Sequence, residues 1–223
     1  MNYLFLVLAV LLSFGFVRIT KPKNPSHVKL LLAFSGAFLM ALTFFELIPK
    51  VYAEGNLKFN ATFILLGILV QIFLEFFSKG AEHGHMHWEL TKNQFPLVLF
   101  ISLSLHALIE GIPISEDHGI LLGILVHKVP VALILSIFLL HSQLNKWLCF
   151  LFIVLFAFMT PLGNYLATES SFLQEYSIQL IALAVGVFLH ISTIILFESA
   201  KGHSFDLRKL FVIIVGFGLA YFL

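Results

Sequence analysis

Cysteine is nearly missing from this chain: Cys149 is the only one, and it lies inside an apolar run. A lone thiol rules out a disulfide framework within the chain and leaves the redox compartment unreadable. Charge is scarce as well. Lys, Arg, Asp and Glu together make up 11% of the residues, against about 25% in ordinary soluble domains. The net charge of +1 gives no footing for an acidic partner, so nucleic acid is excluded. There is no phosphate-binding glycine loop, which removes transport powered by the chain's own nucleotide hydrolysis. No two histidines stand four apart with a glutamate between them, which removes a membrane metalloprotease. The chain reads as a non-enzyme. The run from Met1 to Val17 has no basic start and no small-residue cleavage site, and Arg18 follows the apolar stretch rather than preceding it. It reads as a first span entering with its N-terminus outside, not as a secretory leader.

What is present in excess is apolar. Hydrophobic residues account for 60% of the chain and the mean hydropathy is +1.01. A multi-pass membrane protein with a single transmembrane domain, 1–223, is the class that fits. Eight apolar segments can be marked, at roughly 2–17, 29–49, 59–78, 95–115, 119–140, 146–167, 176–199 and 208–223. Each is near the ~20 residues needed to cross a bilayer, with the first and last short. Gly, Pro and Ser inside them are typical of membrane helices. The expected fold is therefore all-α, an eight-helix membrane bundle.

The loops give the orientation. Arg18, Lys21, Lys23, Lys29, Lys79, Lys92, Lys146, Lys201, Arg208 and Lys209 fall in odd-numbered loops. Even-numbered loops hold only Lys50 and Lys58, with acidic residues at Glu116, Asp117, Glu169 and Glu175. The positive-inside rule puts the odd loops in the cytoplasm and both termini outside. Loop three, 79–94, carries His83, His85 and His87 in alternation. Short His-rich tracts favour borderline divalent metals, and this one would receive or buffer an ion after passage. The bland alternative is a polar turn.

Chemistry-bearing residues stand out because their surroundings are so apolar. His106 and Glu110 are four apart and share one helix face. Pro113 follows them. His127 and Lys128 precede Pro130 in the next segment. Ionisable groups at membrane depth are costly and usually mark an ion path. Two proline-broken helices could converge on one ion near the midplane. A charge such as Lys128 needs a carboxylate, and Glu110 is the nearest plausible one; the alternative is an ammonium that snorkels to the surface. Glu46 stands near the end of the second segment and Glu198 near the end of the seventh, with His190 two turns before Glu198. Glu198 and His190 read as exit-path candidates. Thr160 and Asn164 flank Pro161 and could either re-satisfy a freed carbonyl or face the ion.

In order and topology these features resemble the ZIP (Zrt/Irt-like) family of divalent metal transporters. The matching elements are the His-bearing loop between spans three and four, His106 with Glu110-Gly111 in span four, and the polar pair before Pro130 in span five. To these add Leu47-Ile48-Pro49 closing span two, Pro161-Leu162-Gly163 in span six, and Glu198-Ser199 followed by Gly202-His203. The resemblance implies a ZIP-like bundle with both termini outside and carries His106, Glu110 and His127 over as metal ligands. Departures accompany it. Ala107 replaces the family's usual Asn, Lys128 stands where an acid is common, Val131 stands where a Glu often bridges two metals, and Thr160 replaces an acid found in some bacterial members. A two-metal site cannot be built from these residues. A one-metal site can, with Met40, Glu46 or water as fourth ligand. Two imidazoles and a carboxylate suit zinc, with iron and manganese open.

The expectation is a transporter that moves a divalent cation inward across a plasma or bacterial inner membrane. Its partners are the ion and the lipid bilayer, with a homodimer allowed, and it needs no prosthetic group. Two other readings stand beside it. One is a haem-binding electron carrier using His106, His127 and His190. The other is a transport-inactive relative acting as sensor or scaffold, motivated by Lys128 and Val131.

Overall fold

A computed structural model describes residues 2–22, 26–81, 90, 92–115, 118–198 and 207–223. The His83, His85 and His87 tract lies outside the described residues, as does the side chain of Glu198. The described chain is a bundle of helices. In order these are α1 (Asn2–Thr20), α2 (Ser26–Leu42), α3 (Ile48–Ala53), α4 (Leu57–Ser78), α5 (Leu97–Gly111), α6 (His118–His141), α7 (Lys146–Ala157), α8 (Met159–Glu169), α9 (Ser171–Glu175), α10 (Ser177–Glu198) and α11 (Leu207–Tyr221).

Seven of the eight marked segments form helices long and apolar enough to cross a membrane: Tyr3–Thr20, Val28–Ala53, Leu57–Ser78, Leu97–Ser115, His118–His141, Lys146–Glu169 and Ser177–Phe197. The eighth segment forms α11, of 15 residues, which at ~1.5 Å per residue is about 22 Å long. This protein is an integral, multi-pass membrane protein of the all-helical kind.

Local sequence explains most helix ends. Asn56 caps α4, its side chain accepting from the Phe59 backbone N–H at 3.2 Å, and Asn145 caps α7 through the Trp147 N–H at 3.0 Å. Each offers an oxygen to an otherwise orphaned donor. Lys79 and Gly80 turn α4 off with φ of 52° and 69°, the left-handed exit that glycine favours.

The prolines act differently from one another, which revises the expectation of two proline-broken helices. Pro113 does end α-geometry, in the 3₁₀ turn Ile112–Ser115. Pro130 sits inside an unbroken α6. Pro161 occupies the first turn of α8, after a break at Phe158; a first-turn proline has no intrahelical N–H bond to lose. Pro49 follows a π-helical turn, Thr43–Leu47, in which the Ile48 N–H reaches back to the Thr43 carbonyl. Widening the ladder there spares the bond that proline would break.

Two helix crossings are the tightest, too close for any side chain. A Cβ on Gly163 would collide with the Leu108 carbonyl, and one on Gly111 with the Thr160 carbonyl. This lets α8 lie backbone to backbone on the end of α5. Gly67 and Gly186 do the same for α4 and α10, against the Leu183 and Ile64 carbonyls. Small residues give membrane helices this approach, since lipid-like side chains gain nothing by burial in lipid. A second core joins α1, α5, α6 and α7 through Val10, Leu103, Leu135 and Phe152. These contacts fix the depth and rotation of every polar group described next.

Candidate metal centre

Buried polar residues lie on α4, α5, α6 and α8, and contacts join Lys128 of α6 to Glu110 of α5 and His106 of α5 to Gln71 of α4. His106 and Glu110, one turn apart on α5, are 2% and 0% exposed, and His127 and Lys128 on α6 are 1% and 2% exposed. The Lys128 ammonium donates to a Glu110 carboxylate oxygen, the partner expected for it. Burial this complete removes the snorkelling alternative. The Phe156 ring lies under the ammonium, 5.1 Å from Nζ to centroid, and an aromatic face adds to the stabilisation of a desolvated cation. The Thr160 hydroxyl approaches the same carboxylate without reaching full hydrogen-bond geometry. It is there because Gly111 and Gly163 let α8 touch α5.

His106 is held from the other side. Its Nδ1 lies 3.2 Å from Oε1 of Gln71 on α4, both buried. A neighbouring group that holds an imidazole through Nδ1–H fixes the ring's tautomer and orientation, a common arrangement for a metal-ligating histidine. One turn along α4, Glu75 Oε2 meets His190 Nε2 of α10 at 2.7 Å. Gln71 and Glu75 were not expected from the sequence. The signal was available: they repeat, in segment 59–78, the four-residue polar spacing of His106 and Glu110.

Other expected residues fall elsewhere. Glu46 is on the π-helical turn and exposed, so the structure does not bring it to the buried cluster. Met40 is half-buried on α2. Thr160 and Asn164 do not re-satisfy a carbonyl freed by Pro161; Asn164 Nδ2 is buried with no hydrogen-bond partner among the described residues. No set of three His, Cys, Asp or Glu side chains among the described residues is close enough to hold a metal ion. His106, Glu110 and His127 are thus not gathered around one ion in this structure, and the Glu110 carboxylate contacts Lys128 instead.

Residues 82–223 match the family described as ZIP Zinc transporter. The chain belongs to the ZIP zinc transporter family. The match covers more than half of its length and includes α5 to α11, with His106, Glu110 and His127; α1 to α4 precede it. Among curated relatives, "Zinc transporter ZIP1" of Danio rerio is 29% identical over 152 residues, covering 63% of this chain and 50% of that protein. "Protein zntD" of Dictyostelium discoideum is 27% identical over 166 residues, covering 62% of this chain and 24% of that protein. The chain thus spans half the length of the first ZIP relative and a quarter of the second.

Proposed function

We propose that this ZIP-family chain carries a divalent metal cation, zinc first, with iron and manganese open, into the cytoplasm of a cell through its plasma or bacterial inner membrane. The observation that carries the reading is the burial of His106, Glu110, His127 and Lys128 in spanning helices, with Lys128 paired to Glu110. Isolated charges are not retained at such depth without a partner or a task. His106, Glu110 and His127 supply two imidazoles and a carboxylate, a donor set suited to zinc. Gln71 orients the first imidazole.

Lys128 limits the site to one ion. Its ammonium occupies the place a second cation would need and pairs with Glu110 while no metal is bound. An arriving dication is attracted by Glu110 and repelled by Lys128, and in a low-dielectric interior both effects are strong. The balance weakens binding and speeds release. The fourth ligand is water or Thr160.

The whole chain, 1–223, acts as one transmembrane domain of eight spans, with α11 as the eighth. Its shortness is met by local thinning of the bilayer. Both termini lie outside, as the basic residues of the odd loops require. His83, His85 and His87 then face the cytoplasm and buffer the ion after passage. His190 and Glu198 line the way out.

The test is uptake of radioactive zinc by proteoliposomes. His106→Ala is expected to abolish uptake while the protein still inserts and runs as a single species. Uptake at the wild-type rate would remove the site. A second reading, a transport-inactive relative that senses or scaffolds, is favoured by the Lys128–Glu110 pair itself. It requires no uptake by the wild type under any metal tested.

A further inference from the structure

Glu75 and His190 are not needed for the proposed His106 site, yet they form a carboxylate–imidazole contact inside the bundle. Oε2 and Nε2 are 2.7 Å apart, on helices brought together across 115 residues of sequence. The Gly67–Gly186 crossing brings α4 against α10 about two turns earlier along α4. The two side chains are 25% and 16% exposed, whereas Glu110 and Lys128 keep only 1% and 2%. The first pair is thus the less enclosed of the two.

Position along α4 gives the pair its meaning. Gln71, which holds His106, lies seven residues before the end of α4 at Ser78, and Glu75 lies three before it. At ~1.5 Å per residue these are about 10 and 5 Å from the helix end. One helix face thus carries a contact to the buried cluster and, one turn nearer the 79–94 loop, a contact to a second histidine.

We infer that Glu75 and His190 are a second cation station, taking a divalent transition-metal ion on its way between the His106 cluster and the loop-three side. The inference rests on the proposed function for the direction of travel, but not for the binding itself. An imidazole nitrogen and a carboxylate oxygen bound to one tetrahedral zinc ion at about 2.0–2.2 Å each are themselves about 3.4 Å apart. The pair needs to open by less than about 1 Å to admit the ion. Two protein donors, with water filling the other positions, hold a metal weakly, which suits a stop rather than a store. Glu75 precedes the stretch matched to the ZIP family, 82–223, so the family match does not assign it.

The test is equilibrium dialysis of the purified full-length chain against zinc alone. The parent carries His83→Ser, His85→Ser and His87→Ser, so that loop imidazoles do not contribute. The parent is expected to bind two ions per chain. His106→Ala with His127→Ala should lose the tighter one and keep the weaker. Adding Glu75→Gln and His190→Asn should then remove the remaining ion. Glu75→Asp, which keeps the carboxylate, should retain it at lower affinity and guards against loss through misfolding. The inference is overturned if the His106→Ala, His127→Ala variant binds no zinc, or if its remaining ion survives Glu75→Gln and His190→Asn. If those latter two changes remove one ion from the parent while His106→Ala with His127→Ala removes none, the station stands and the site between α5 and α6 fails.

Discussion

Lys128 is the residue at which the physical argument is sharpest. A buried ion pair contributes little net stability, but removing one partner costs about 3–5 kcal/mol because the other charge is left alone. Lys128→Ala is therefore expected to lower the unfolding temperature in metal-free buffer. It leaves Glu110 as an uncompensated carboxylate one turn from His106, so zinc should bind more tightly than to wild type and restore the lost stability. Thermal unfolding with and without zinc, together with a binding isotherm, reads both effects; unchanged affinity would sink the idea of a resident competing cation. Gln71 has a separate role. Losing the group that orients a ligand histidine typically weakens metal binding by about 10–100-fold. Gln71→Leu should show that drop in zinc affinity without a change in the number of ions bound at the His106 cluster. The sequence singled out Lys128 and its partner because a buried charge must be answered. It did not single out Gln71, because a neutral amide raises no such demand.

At the scale of elements, the close crossings decide what the polar groups can touch. Gly163→Ala puts a methyl where the Leu108 carbonyl lies, and both neighbours are backbone that cannot swing aside. Such overpacking costs typically about 1–3 kcal/mol. The variant should be less stable, and because α8 must move away from α5, Thr160 should withdraw from Glu110 and zinc uptake should fall. Gly218→Ala is the matched control: a Cβ there meets nothing within 4 Å, and its uptake and melting point should stay at wild-type values. The prolines make the complementary point. All stand in apolar helices and look alike in sequence, yet Pro113 ends a helix, Pro130 is absorbed within one, and Pro161 starts one. Which outcome occurs depends on what satisfies the carbonyl one turn back, and that is a matter of neighbouring helices.

At the scale of the whole molecule the open question is orientation, and the near absence of cysteine makes it easy to ask. Cys149 is buried, with Sγ 3.3 Å from the Leu139 carbonyl, a contact that Cys149→Ser preserves in kind. In that background a membrane-impermeant maleimide should label Glu54→Cys and Glu169→Cys on intact cells. Ser142→Cys should label only after permeabilisation. The reverse pattern would invert the bundle and the direction of transport with it.

Hydropathy and spacing by themselves determined that this chain lives in a membrane, where its helices run to within a few residues, and which buried charges had to matter. Those are properties of a segment and its solvent, and a segment carries them wherever it packs. Only the tertiary structure decided who meets whom. His106 finds Gln71 from 35 residues away and His190 finds Glu75 from 115 away, because α4 packs against both α5 and α10, the latter through Gly67 and Gly186. Helical periodicity fixes which residues share a face, but the rotation of one helix against another is set by the sum of many small packing contacts. No single stretch of sequence contains that sum.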